Sequence, residues 1–133
     1  MSIELDHFIV PSRDKAAAGK RLAELLGVKS APAQIGPFYS VFVNDGLTLD
    51  FVDSEEAFPI HHYCFRVMPA DFDAILDRIR KAGIPYRSTP HGPMDIKINT
   101  DHGGKIVYWT EPDGHYWEML TVSYARAVPP PTA

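Results

Sequence analysis

The chain has 133 residues, 45% of them hydrophobic and 23% charged, which suits a single globular domain with a sizeable core and argues against disorder except at the tail. Its 17 acidic and 13 basic residues are interspersed, so a net charge of -4 leaves neither a basic stripe for nucleic acid nor a polybasic patch for a membrane surface. A lone cysteine, Cys64, precludes an intramolecular disulfide, the N-terminus Met1-Ser2-Ile3-Glu4 lacks the charged region of a signal peptide, and no apolar run approaches the ~20 residues of a membrane span. The expected setting is reducing and cytoplasmic, with Cys64 a buried free thiol.

In chain order, Ile3 to Val10 alternates apolar and polar residues as a strand does, with His7 and Ile9 on one face and Phe8 and Val10 on the other, and Pro11-Ser12 ends it. Ser12 is the expected N-cap of a helix with Asp14 in its first turn, carried by Ala16, Ala18, Leu22, Leu25 and Leu26 to Gly27 just past its end. Gly19 should weaken that helix by ~1 kcal/mol relative to alanine. A weaker strand around Ala33 to Ile35 precedes a hairpin, in which Phe38 to Val43 and Leu47 to Val52 flank Asn44-Asp45-Gly46. The Asp-Gly pair should supply the positive φ such turns require.

The second half restates this plan. Ile60 to Val67 reads as a strand, Pro69 opens a helix, and Phe72, Ile75, Leu76 and Ile79 fall at helical spacing as a core stripe before Gly83. Strands are expected at Ile84 to Arg87, Lys105 to Thr110 and His115 to Val122, with Trp117 and Met119 packed inward and the turn Glu111-Pro112-Asp113-Gly114 between the last two. The second copy carries about twelve extra residues within Ser88 to Gly104, a constrained loop rich in Pro, Gly and His where specificity is expected to reside. Val128 to Ala133, rich in proline, closes a tail running from Tyr124.

The order strand, helix, three strands is thus stated twice, in an α+β fold. The first copy spans about residues 3–53 and the second about 59–123 of one domain. Metal-ligand residues match across the copies: His7 and His62 open their units, and Asp50 and Glu118 each follow an Asp-Gly turn by four residues. A duplicated unit of this kind can build one metal site between its copies. His7, His62 and Glu118 would form a two-histidine, one-carboxylate set that leaves coordination positions open for substrate or water, with Mn, Fe, Zn, Ni and Co all suited to it. A buried Glu118 left unpaired would cost on the order of several kcal/mol, so a metal or one of Arg66, Arg87 and Arg126 must neutralise it. His61 competes with His62 but points to the opposite face, and alignment with His7 selects His62.

Leu5-Asp6-His7-Phe8-Ile9-Val10, His61-His62-Tyr63-Cys64-Phe65 and Glu111-Pro112-Asp113-Gly114-His115-Tyr116-Trp117-Glu118 resemble the three metal-site strands of the vicinal oxygen chelate superfamily. That superfamily holds glyoxalases, bleomycin-resistance proteins, fosfomycin-resistance proteins and extradiol dioxygenases, and the likeness spans nearly the whole chain. It implies two βαβββ repeats forming a curved mixed sheet around a metal site, with His7, His62 and Glu118 as ligands of a divalent metal and Asp50 as a candidate fourth. It further implies an active-site tyrosine at Tyr108, able to donate a proton or hydrogen bond to an oxyanion, and a homodimer. The implied function is a metal-dependent lyase, transferase or dioxygenase acting on a small oxygenated substrate by oxyanion stabilisation. The alternative is a non-catalytic drug-binding protein of the bleomycin-resistance type, which lacks the metal triad.

The second half is most similar to fosfomycin-resistance transferases, although Ile9 stands at their substrate-binding threonine and Asn99 to Gly104 replaces their potassium loop. His115 is expected to support its turn or lie on the surface, and His91 and His102 to be solvated loop residues near the pocket mouth.

Overall fold

The computed structural model describes residues 2–125, so the expected tail beyond Ala125, and Arg126 with it, lies outside the described residues. The chain divides after Ile60 into two compact units, one for each repeat.

In the first unit, β1 (His7–Ser12), α1 (Lys15–Leu26), β2 (Ser30–Pro32), β3 (Tyr39–Phe42) and β4 (Thr48–Asp53) form a four-stranded mixed sheet of order β1-β4-β3-β2 with one helix. β1 pairs with β4 in parallel, His7 opposite Thr48 and Ser12 opposite Asp53, so it starts at His7 rather than Ile3 and runs through Pro11. A proline is tolerated there because β1 is an edge strand, with one side free of ladder bonds. Ser12 is therefore a buried strand residue whose hydroxyl accepts from the Asp14 amide, and the N-cap is Asp14, which accepts from Ala17 N–H at 3.1 Å. Gly27 ends α1 in the left-handed conformation, as expected.

The weak strand is displaced to Ser30–Pro32. The hairpin forms, but Gly46 is not among the positive-φ residues. The turn is instead held by Asn44, whose side-chain oxygen accepts from Gly46 N–H and Leu47 N–H at 2.8 and 2.9 Å. Gly19 has a packing reason: a Cβ there would lie 2.4 Å from the Tyr39 ring, so the glycine lets α1 approach the sheet closely.

In the second unit, β5 (His62–Arg66), α2 (Pro69–Lys81), β6 (Ile106–Thr110) and β7 (Tyr116–Leu120) give a three-stranded mixed sheet of order β5-β7-β6. Pro69 opens α2, and the predicted stripe Phe72, Ile75, Leu76 and Ile79 is buried. Trp117 and Met119 are buried as well. The expected strand at Ile84 to Arg87 reduces to an isolated bridge between Arg87 and Tyr108. Pro85 has no N–H to pair, and from Ser88 the chain is drawn into the loop by Asp95, which accepts from the Ser88 amide and hydroxyl and the Lys97 amide. Among the described residues no helix is long and apolar enough to cross a membrane.

Candidate functional site

Strand register sorts the chemistry onto one face of each sheet, because directly paired residues share a face. In the second unit His62 is opposite Tyr116, Cys64 opposite Glu118, and Tyr108 opposite Glu118, so His62, Cys64, Tyr108, Tyr116 and Glu118 lie together. His61 and Tyr63 point the other way, where their rings stack at 5.8 Å. His61 and His62 thus point to opposite faces of β5, as alternation implies.

Glu118 is 0% exposed, as its place in an apolar strand implies, and among the described residues its hydrogen-bond partners are a histidine and a tyrosine, not an arginine. His62 Nε2 lies 2.7 Å from Oε1, and the Tyr124 hydroxyl donates to both carboxylate oxygens at 2.8 Å. Neither Arg66 nor Arg87 forms an ion pair with it among the described residues. Tyr108, 5% exposed, hydrogen-bonds to Tyr124, and desolvation, partly offset by that bond, raises its pKa with the help of the Glu118 charge. Burial likewise drives the Tyr124 hydroxyl well above its usual range, reinforced by its bond to Glu118, so both phenols hold their protons at neutral pH. The His102 ring stacks on Tyr124 at 5.4 Å, which ties one end of the Ser88 to Gly104 loop to this cluster.

Tyr124 is the member that sequence reasoning missed. It lies past the last strand, in the stretch read as a tail, and no local periodicity brings it back to the sheet.

Cys64 corrects another expectation, since it is exposed and not buried. Its sulfur, set on the face beside Glu118, is held at about 12 by desolvation and by that carboxylate. At neutral pH it is therefore a thiol and a poor nucleophile.

In the first unit, His7 and Asp50 share a face with Ser40 and Thr48 and line a cavity of about 770 Å³ that Phe38 and Phe42 also border. His7 Nδ1 lies 2.6 Å from Asp6 Oδ2, a hydrogen bond that raises the histidine pKa and leaves Nε2 for another partner. Asp50, half-buried, accepts from the Ser40 hydroxyl at 2.6 Å.

Among the described residues no three His, Cys, Asp or Glu side chains gather as a group able to hold a metal. The donors of the second unit come as a pair, His62 and Glu118, and His7 belongs to the first unit. That pair nonetheless suits a metal. Donors about 2.0–2.2 Å from a divalent first-row ion sit roughly 3 Å apart when adjacent in its shell, close to the spacing seen here. The His62 side chain is 43% exposed, which leaves the open side of the pair to solvent or substrate. His7 has one ring nitrogen held by the Asp6 carboxylate, an arrangement common to ligating histidines that fixes the ring and, among the described residues, leaves the other nitrogen for a further partner.

His115 is 0% exposed rather than on the surface. It does support its turn: its N–H donates to Glu111 Oε1 at 2.9 Å, and its Nδ1 accepts from His61 N–H at 3.0 Å. Glu111 is pushed up to about 7 from the ordinary 4.5, first by desolvation and then by the neighbouring Asp113 charge, with the His115 N–H opposing. Because the folded state binds this proton more tightly than the unfolded chain does, its contribution is fully present below the unfolded value of 4.5 and is lost as pH rises through about 7. Discounted for solvent screening, the effect is on the order of 1–2 kcal/mol. Glu111→Gln should flatten the decline in stability between pH 5 and pH 8 by that amount in urea unfolding, and an unchanged decline would show that Glu111 ionises freely.

The fold recurs in known structures. The chain is 41% identical to the solved structure of "Oxidase ChaP-H2", covering 93% of this chain and 97% of that one with a TM-score of 0.86. It is 40% identical to "Oxidase ChaP-H1", covering 92% and 98% with a TM-score of 0.85. The fosfomycin resistance protein FosX from Mesorhizobium loti matches at 18% identity over 96% and 98% of the two chains with a TM-score of 0.68, a likeness of fold. No family profile and no curated protein matches the chain.

Proposed function

This chain belongs to the vicinal oxygen chelate, or glyoxalase-like, superfamily, and from that premise we propose that it is a metal-dependent oxidase acting on a small oxygenated organic substrate with dioxygen as the acceptor. The observation that carries the reading is the His62–Glu118 pair at 2.7 Å, on one face with Tyr108, in a chain 41% identical to an oxidase over nearly its whole length. That identity favours oxidation over the lyase and transferase chemistries found elsewhere in the superfamily.

His7, His62 and Glu118 are the proposed ligands of one divalent metal per chain, and Asp50, on the face of His7, is the candidate fourth. When bound, such an ion supplies Lewis-acid stabilisation of an oxyanion on the substrate. The rest of the work falls to the chain's own groups. Glu118 stays fixed because His62 and Tyr124 occupy its oxygens inside a dry sheet. Tyr108, protonated at neutral pH and opposite Glu118, is placed to hold a proton at its hydroxyl for an oxyanion formed beside it. The face of the first unit offers apolar walls from Phe38 and Phe42 with polar groups at His7, Ser40 and Thr48, a lining that orients a largely apolar molecule by a few polar atoms.

The proposed assembly is a homodimer with two equivalent sites, which suits a small chain of two repeats. Metal analysis of the species resolved by sedimentation equilibrium tests both statements. The expected result is a dimer carrying one transition-metal equivalent per chain after purification without added metal. A protein that neither retains nor rebinds metal would instead favour the non-catalytic binder, the role that the presence of His7, His62 and Glu118 argues against.

A further inference from the structure

The second unit holds a cation that none of the chemistry above uses. Arg87 forms the isolated bridge with Tyr108, which puts its side chain on the face of Tyr108 and Glu118. Its guanidinium carbon lies 5.3 Å from the centre of the Tyr116 ring, and Tyr116 is the register partner of His62. The group is therefore one strand position from the proposed metal ligands. A cation–π contact holds it there.

Among the described residues the guanidinium has no counter-ion. Its side-chain hydrogen bonding among them amounts to one long contact, from Nη1 to the Gly92 carbonyl at 3.4 Å, and Nε is buried without a partner there. Among the described residues no carboxylate is within ion-pair distance of it. Glu118 is committed to His62 and Tyr124, and Asp95, the acidic residue of the adjoining loop, to Ser88 and Lys97. A half-buried arginine with donors left unsatisfied is costly. Its planar fork of donors matches an oxyanion that presents its oxygens in one plane.

We propose that Arg87 binds an anionic oxygen of the substrate, a carboxylate or an ionised phenol or enol, at the edge of the face that carries His62 and Glu118. This rests on the reading of that face as the active site, and it narrows the substrate class to small organic anions whose charge resides on oxygen. The terminal nitrogens make the contact. The Gly92 carbonyl, in the loop singled out by its length, sets the reach of the side chain, so the loop acts on specificity through Arg87.

The test uses metal-free, full-length protein titrated calorimetrically with sodium salicylate and with neutral salicylamide of nearly the same shape. Salicylate should bind the wild type, bind Arg87→Met at least tenfold more weakly and bind Arg87→Lys with an intermediate loss. Salicylamide should change less than twofold across all three. Arg21→Met, which removes the other arginine with a buried, unpartnered Nε, should leave both affinities unchanged and so exclude a general charge effect. The proposal is overturned by equal salicylate affinity in wild type and Arg87→Met, by no salicylate binding at millimolar concentration, or by salicylamide losing affinity in parallel, which would mark a shape role rather than a charge. Metal content is read separately. Salicylate binding that depends on Arg87 in a protein that takes up no metal would keep the anion site and remove the oxidase reading.

Discussion

Glu118→Gln is expected to lower the affinity for a divalent transition metal by about a hundredfold, roughly 2.7 kcal/mol. The carboxylate is 0% exposed and accepts three hydrogen bonds, one from His62 and two from the bifurcated Tyr124 hydroxyl. An amide of the same shape loses the negative charge that a cation needs. It also turns an NH₂ group toward one of those donors, where two donors face each other without a proton acceptor between them. Truncating one partner of a buried, hydrogen-bonded charge pair typically costs ~2–5 kcal/mol, which brackets the expected loss. His62→Ala should act in the same direction and by less, because the His62 side chain is 43% exposed and water can replace part of its coordination. Isothermal titration of metal-free protein with Mn, Co, Ni and Zn checks this, and equal affinity in wild type and Glu118→Gln would remove Glu118 from the ligand set.

Much of the frame was legible because it rests on periodicity. The stripe of α2, the Gly27 cap and the pairing of two repeats follow from side-chain spacing, and the register then carries His62, Tyr108 and Glu118 to one face. The errors cluster where partners distant in sequence decide the outcome. β1 begins at His7 because Thr48 is where β4 begins, and Ser12 is a strand residue because Asp53 lies opposite it. The turn at Gly46 looked like an Asp-Gly turn, but Asn44 supplies a side-chain acceptor that makes positive φ unnecessary. Cys64 sits among apolar neighbours in sequence yet is itself exposed, at the edge strand β5, which alternation alone does not reveal. Of the partners of Glu118, His62 is the one the repeat brings beside it, whereas Tyr124 was unreadable for the same reason. Charge arithmetic asked for a metal or an arginine, and among the described residues the carboxylate meets a histidine two residues before Cys64 and a phenol from beyond the last strand.

That phenol gives the other large effect. Tyr124→Phe should destabilise the metal-free protein by ~2 kcal/mol, since a hydrogen bond to a charged group contributes ~1.5–3 kcal/mol and this one serves both oxygens of a buried carboxylate. The ring is kept, so its packing against Ile106, Tyr108 and Leu120 and its stacking with His102 persist, and the loss isolates the hydroxyl. Tyr108→Phe should cost less, about 1 kcal/mol, because Tyr108 shares its hydroxyl between Tyr124 and Glu118 whereas Tyr124 reaches both carboxylate oxygens at 2.8 Å. Urea unfolding of the two variants beside wild type reads the difference, with an unchanged denaturant slope as the sign that only stability has moved. A change below about 0.5 kcal/mol for Tyr124→Phe, the range of an ordinary surface substitution, would mean that Glu118 is held by His62 alone and that the chain beyond β7 has no part in building the site.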